Sequence, residues 1–137
     1  MRLINILIIE DNIFDYESVS RTLGYLDSIG KIIYLDNGEK AIDYLFQTGA
    51  YANAEQYIKP DLILLDIELP RLNGKEVLKE IKEKGSNEIK NIPVIFFTSI
   101  EDSFNNQECF KLGAKGYLNK PIQIDHFKDF LVAFGLI

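Results

Sequence analysis

Several stretches of this chain are apolar on every residue, among them Ile6-Leu7-Ile8-Ile9 and Leu62-Ile63-Leu64-Leu65. A strand with one wet face alternates apolar and polar side chains. A strand with no polar side must be covered on both faces, as in a parallel sheet between layers of helix. Five strand candidates emerge on this basis: Leu3–Ile9 (interrupted by Asn5), Lys31–Leu35, Leu62–Leu65, Ile92–Phe97 and Gly116–Leu118. Amphipathic stretches of helical length follow them, at Ile13–Tyr25, Glu39–Phe46, Lys75–Lys84, Phe104–Leu112 and Ile124–Phe134. In the third, Val77, Leu78 and Ile81 recur at helical spacing, as do Phe127, Phe130, Leu131 and Phe134 in the last. Strand and helix alternating five times predict an α/β fold on a parallel sheet, with right-handed crossovers. Only Gln47–Pro60 is long for a connection; it reads as a functional loop or an extension of the second helix.

A chain of 137 residues suits one domain, residues 1–137, with a core that needs no covalent staples. Its 21 acidic against 15 basic side chains give a net charge of −6, which argues against nonspecific nucleic-acid binding. One cysteine cannot form an internal disulfide and fits a reducing cytoplasm. The apolar runs are far short of a membrane span. The N-terminus runs straight into the first strand, without the pattern of a signal peptide.

In an open parallel sheet, ligands sit beyond the carboxyl ends of the strands. Glu10-Asp11 follows the first strand, Asp66 ends the third, Thr98-Ser99 ends the fourth and Asn119-Lys120-Pro121 follows the fifth. Clustered carboxylates repel one another unless a cation neutralises them. All-oxygen ligands without a Cys/His cluster favour Mg²⁺ or Ca²⁺, and Mg²⁺ fits better because it keeps several waters and takes few carboxylates. An aspartate beside Mg²⁺ can attack phosphorus and form an acyl phosphate, with Lys120 and Thr98 meeting the phosphoryl oxygens. Each residue has a plain alternative: Asp66 as a turn acid, Glu10-Asp11 as a helix cap, Lys120 as a solvated loop lysine, Thr98 as a backbone partner. All four, each at its own strand end, are what carry the reading.

With these segments in place, the chain resembles a receiver domain of a two-component response regulator. The motifs are Ile-Leu-Ile-Ile-Glu10-Asp11-Asn12, Asp61-Leu-Ile-Leu-Leu-Asp66-Ile-Glu-Leu-Pro70-Arg-Leu-Asn-Gly74, Ile92-Pro-Val-Ile-Phe-Phe-Thr98-Ser99 and Leu112-Gly-Ala-Lys-Gly-Tyr117-Leu-Asn-Lys120-Pro121. The resemblance implies a flavodoxin-like three-layer sandwich with sheet order 2-1-3-4-5. It also implies that Glu10, Asp11, Asp66 and the Glu68 carbonyl bind Mg²⁺, and that Asp66 accepts phosphate from a sensor histidine kinase. Thr98 and Tyr117 stand at the switch positions, Lys120 at that of the phosphate-contacting lysine, and Pro121 at that of a cis-proline. Such a protein is a signalling molecule rather than an enzyme, with Mg²⁺-dependent self-phosphorylation and autodephosphorylation.

Ala41-Ile-Asp-Tyr-Leu-Phe46, Gly49-Ala-Tyr51 and Glu108-Cys109-Phe110-Lys-Leu-Gly113-Ala resemble small regulators paired with phytochrome-type kinases. No output domain is expected after Ile137. Signals would pass to a downstream protein or a phosphotransfer histidine, without nucleic acid or membrane. The face of the fourth helix, fifth strand and fifth helix would serve partners or a second copy of the chain. A haloacid-dehalogenase-like phosphatase is the enzymatic rival, but it places its nucleophile on the first strand and a second acid two residues later, which Glu68 imitates only loosely. A degenerate receiver would have lost the acid pair or Asp66. Cys109 reads as a small core residue, His126 as a surface residue, Gly74 and Gly113 as positions needing a permissive backbone, and Lys79, Lys82 and Lys84 as a solvated helix face.

Overall fold

The computed structural model describes residues 2–99 and 103–137, and the side chains of residues 54 and 103–105 lie outside the description. Met1 and the side chain of Phe104, which opens the fourth expected helix, are therefore outside the described residues. The strands are β1 (Ile4–Ile9), β2 (Ile29–Leu35), β3 (Leu62–Asp66), β4 (Val94–Thr98) and β5 (Gly116–Asn119). The helices are α1 (Ile13–Leu23), α2 (Gly38–Phe46), α3 (Gly74–Lys84), α4 (Asn87–Lys90), α5 (Ser103–Lys111) and α6 (Ile124–Ala133). All strand pairs are parallel, in the order β2-β1-β3-β4-β5.

The apolar runs of β1, β3 and β4 are completely buried because alternate side chains point into opposite layers. Leu7, Ile9, Ile63, Leu65 and Phe96 pack with Leu45, Val77, Leu78, Ile81 and Cys109 of α2, α3 and α5. Ile6, Ile8, Leu62, Leu64, Ile95 and Phe97 pack with Val19, Leu23, Phe127 and Leu131 of α1 and α6. Each fully buried Leu, Ile or Phe contributes roughly 1.5–3 kcal/mol of transfer free energy. Cys109 is thus a core residue, as its spacing suggested, and burial pushes its thiol pKa up.

Asn5 interrupts β1 for a reason. Its Oδ1 accepts from the Lys31 N–H at 2.9 Å, and its own N–H donates to Asp61 Oδ2 at 2.8 Å. It joins the starts of β2 and β3 to β1 where the β1–β2 register shifts. Caps mark the helix starts: the Asn12 side chain accepts from the Phe14 and Asp15 N–H groups, and Asn73 forms a capping box with Glu76.

Three expectations need correction. A one-turn helix, α4, follows α3, so the fourth expected helix is α5. Lys82 is not solvated like its neighbours: its Nζ donates to the Lys90 carbonyl at 2.8 Å and ties α4 to α3. Gly113 has φ +109° and needs glycine's freedom, but Gly74 has no positive φ. It must be glycine because an added Cβ would lie 2.2 Å from the Asp66 carbonyl oxygen. The segment after α2 does not extend that helix. It forms two short 3₁₀ turns, Gly49–Tyr51 and Ala54–Gln56, and its Tyr51 and Tyr57 rings pack on Tyr44.

Candidate functional site

β1, β3 and β5 all end on the same edge of the sheet, where β1 and β3 lie side by side with Ile9 opposite Leu65. The backbone there delivers Glu10, Asp66 and Lys120 to one crevice of about 240 Å³, which Asp11, Glu68 and Ser99 also line. Glu10 is fully enclosed and Asp66 is 3% exposed. One carboxylate oxygen each from Glu10, Asp11 and Asp66 lie within 4.8 Å of one another.

Each group is held by the local chain. The Glu68 N–H donates to Asp66 Oδ1 at 3.0 Å, and Lys120 Nζ donates to Asp66 Oδ2 at 3.1 Å. The Asn12 N–H donates to Glu10 Oε2 at 3.4 Å, while the Tyr34 hydroxyl, stacked under Tyr16, donates to the Glu10 carbonyl at 2.8 Å. The Gly74 N–H donates to the Ile67 carbonyl at 2.9 Å, so the start of α3 rests on the backbone that carries Asp66.

The electrostatics are lopsided. The Lys120 ammonium donates to Glu10, to Asp15 at 2.9 Å and to Asp66, so a single cation serves three carboxylates, with Asp11 beside them. Burial, then hydrogen bonding to Asp66, pushes the Glu10 carboxyl up to about 8 against the pull of Lys120. Burial works against the Lys120 charge as well, but its hydrogen bonds to Glu10 and Asp15 outweigh it and leave its pKa above the ordinary value. Acid and base both hold protons more tightly than usual, as expected where negative charge exceeds its compensation. An all-oxygen donor set with surplus negative charge fits a hard divalent cation.

Sequence reading brought Glu10, Asp11, Asp66 and Lys120 to one place, and the fold does the same. Glu68 is exposed at the crevice rim, two residues past the end of β3. Thr98 is fully buried at the end of β4, and Ser99 rather than Thr98 lines the crevice. Tyr117 is half-buried on β5 opposite Phe96. The Lys120–Pro121 peptide is cis. His126 is exposed at the start of α6, away from the crevice residues. Asp15 was missed. Its signal was its place three residues after the Asn12 cap, which turns it toward the end of β1, but an acid in a first helical turn reads as a dipole partner.

The comparisons agree with this geometry. Rcp1, a response regulator of Synechocystis sp., is 35% identical over 124 residues, covering 90% of this chain and 81% of Rcp1. The Mn²⁺-bound form of Rcp1 superposes with a TM-score of 0.76 at 32% identity, over 96% of this chain and 88% of that one. The bacteriophytochrome response regulator AtBRR gives a TM-score of 0.84 at 31% identity, covering 100% of this chain and 96% of that chain. The transcriptional regulatory protein CiaR of Streptococcus pneumoniae is 35% identical over 126 residues, 92% of this chain, which spans only 49% of CiaR. No helix among the described residues is long and apolar enough to cross a membrane. The family described as response regulator receiver domain matches residues 6–131, and the chain belongs to it: this is a receiver domain of two-component signalling.

Proposed function

We propose that Asp66 is the phosphoacceptor and that a sensor histidine kinase, of the phytochrome-associated kind, supplies the phosphoryl group. The observation that supports this best is the setting of Asp66: a nearly enclosed carboxylate at a strand end, with one oxygen held by the Glu68 N–H and the other by Lys120. Glu10, Asp11, Asp66 and the Glu68 carbonyl would hold Mg²⁺, which supplies positive charge to the phosphoryl oxygens when bound. An Asp66 oxygen forms the O–P bond as the donor's N–P bond breaks, and the electron pair returns to the imidazole. Lys120 meets one phosphoryl oxygen and Thr98 another; Glu68 at the rim influences how long the acyl phosphate lasts.

The signal would leave through Thr98 and Tyr117. A Thr98 hydroxyl drawn toward the phosphoryl group changes the space available to the half-buried Tyr117 ring, and a population shift needs only a few kcal/mol between its rotamers. Phe110 on α5 and Val132 on α6 are 47% and 61% exposed, and the face of α5, β5 and α6 is the proposed contact for a downstream protein, a phosphotransfer histidine or a second copy of the chain. The protein would act as a single receiver domain in the cytoplasm, with self-phosphorylation from small phosphodonors and autodephosphorylation.

Incubation with acetyl phosphate and Mg²⁺, followed by intact-protein mass spectrometry, tests the assignment. The parent gains one phosphoryl group and Asp66→Asn gains none. Equal labelling of the two proteins refutes it.

A further inference from the structure

Lys120 carries its charge on a flexible four-carbon stem, and a phosphate-meeting ammonium is useful only if its tip is held in place. The base of the stem is fixed: the Lys120 backbone N–H donates to the Thr98 carbonyl at 2.8 Å. The tip has three donors and gives them to three carboxylates, Glu10, Asp15 and Asp66. Glu10 and Asp66 belong to the three-carboxylate cluster as well. Asp15 does not, so among the described residues it is the acceptor that serves Lys120 from outside that cluster.

Asp15 also has a fixed footing of its own. It sits in the first turn of α1, where its own N–H donates to Asn12 Oδ1 at 3.2 Å, and that turn is capped at the end of β1. Its side chain is 42% exposed, against 0% for Glu10 and 4% for Asp66, so it grips the ammonium from the solvent side.

Building on the phosphoacceptor reading above, we propose that Asp15 is a positioning residue for phosphoryl recognition. It anchors the Lys120 ammonium at the mouth of the crevice, so that a donor stays aimed at Asp66 and whatever that residue carries. The ordinary role of an acid in this turn is to steady the helix dipole, which acts on the stability of α1 and not on Lys120.

The test uses the full chain, Asp15→Ala, which removes the acceptor, and Asp15→Asn, which keeps an oxygen without the charge. The first readout is NMR of the Lys120 ε-methylene group in Mg²⁺ buffer. The parent and Asp15→Asn should show the separated proton shifts of a held side chain, and Asp15→Ala the merged shifts of a free one. The second readout is binding of beryllofluoride, a phosphoryl mimic, at saturating Mg²⁺. Asp15→Ala should raise the half-saturating concentration about tenfold, the scale of one charge-assisted hydrogen bond, and Asp15→Asn by about threefold or less. Thermal unfolding of each variant separates any loss in α1.

An unchanged ε-methylene pattern in Asp15→Ala, or beryllofluoride binding as tight as the parent's or tighter, overturns the anchor. If the parent itself does not bind beryllofluoride while the ε-methylene shifts merge in Asp15→Ala, the phosphoacceptor reading falls and the anchor stands.

Discussion

Two concave regions of the molecule are built on opposite principles. The crevice at the carboxyl ends of the strands measures about 240 Å³ and draws its groups from β1, β3, β5 and α1. The cleft beside β2 measures about 490 Å³ and is walled by Tyr44, Tyr51 and Tyr57, from α2 and the segment that follows it. In the crevice, charges are forced together and remain under-compensated. In the cleft, aromatic rings meet at centroid distances of 5.3 and 5.0 Å and hold a long connection down. The larger hollow is thus a product of packing, and the smaller one, where fixed backbone imposes surplus charge, is where chemistry can be driven. Stored electrostatic repulsion, rather than volume, separates the two.

The largest effect should come from Gly74, because it joins the crevice to the core. An alanine Cβ there would sit 2.2 Å from the Asp66 carbonyl oxygen and 2.8 Å from Ile67 Cα. Both are backbone atoms of a buried strand end, so α3 must shift away from β3. Gly74→Ala should cost about 3 kcal/mol or more in urea unfolding. The same shift should disorganise the Asp66 carboxylate and abolish any Mg²⁺ response. A variant with parental stability would show that α3 moves freely over the acceptor backbone.

Next is the response to a cation. Surplus carboxylate charge should make Mg²⁺ a stabiliser of the folded state, by about 2.7 kcal/mol at a hundredfold excess over its Kd. Asp11→Asn removes a cluster carboxylate that is exposed and so contributes little packing. It should leave the metal-free fold intact or slightly firmer and lose most of the Mg²⁺ gain in melting temperature. An Asp11→Asn protein that gains as much from Mg²⁺ as the parent would remove Asp11 from the site.

The same contrast explains what was legible in the sequence. β1, β3 and β4 were readable because burial on both faces leaves an uninterrupted apolar signature. Glu10, Asp11, Asp66 and Lys120 were readable because strand ends in a parallel sheet converge by topology. Asp15 was not, since its partner lies 105 residues away on another element. α4 has four residues, too few for any periodicity to register. Gly74 was noticed, but its cause is a close approach between elements, which no local pattern encodes. The segment after α2 stayed open because its order comes from side chains meeting in space, not from repeats along the chain.

That segment gives the smallest and most local prediction. The Tyr44 hydroxyl donates to the Ile58 carbonyl at 2.6 Å and accepts from the Ile58 N–H at 3.0 Å, closing the connection onto α2 across fourteen residues. Tyr44 itself is 6% exposed, and its ring packs against Tyr51 and Tyr57, so its aromatic contacts do not depend on the hydroxyl. Tyr44→Phe therefore keeps the ring and strips both backbone groups of Ile58 of their partner. Ile58 is only half-buried, so water can replace part of what is lost. The cost should be about 1–2 kcal/mol. Amide exchange should quicken at Ile58 and its neighbours first, because the clamp is local. Tyr44 lines the cleft and not the crevice, so Mg²⁺ should stabilise Tyr44→Phe as much as it does the parent. A weakened Mg²⁺ response would mean that the two regions are coupled, and the separation between packed cleft and charged crevice would have to be given up.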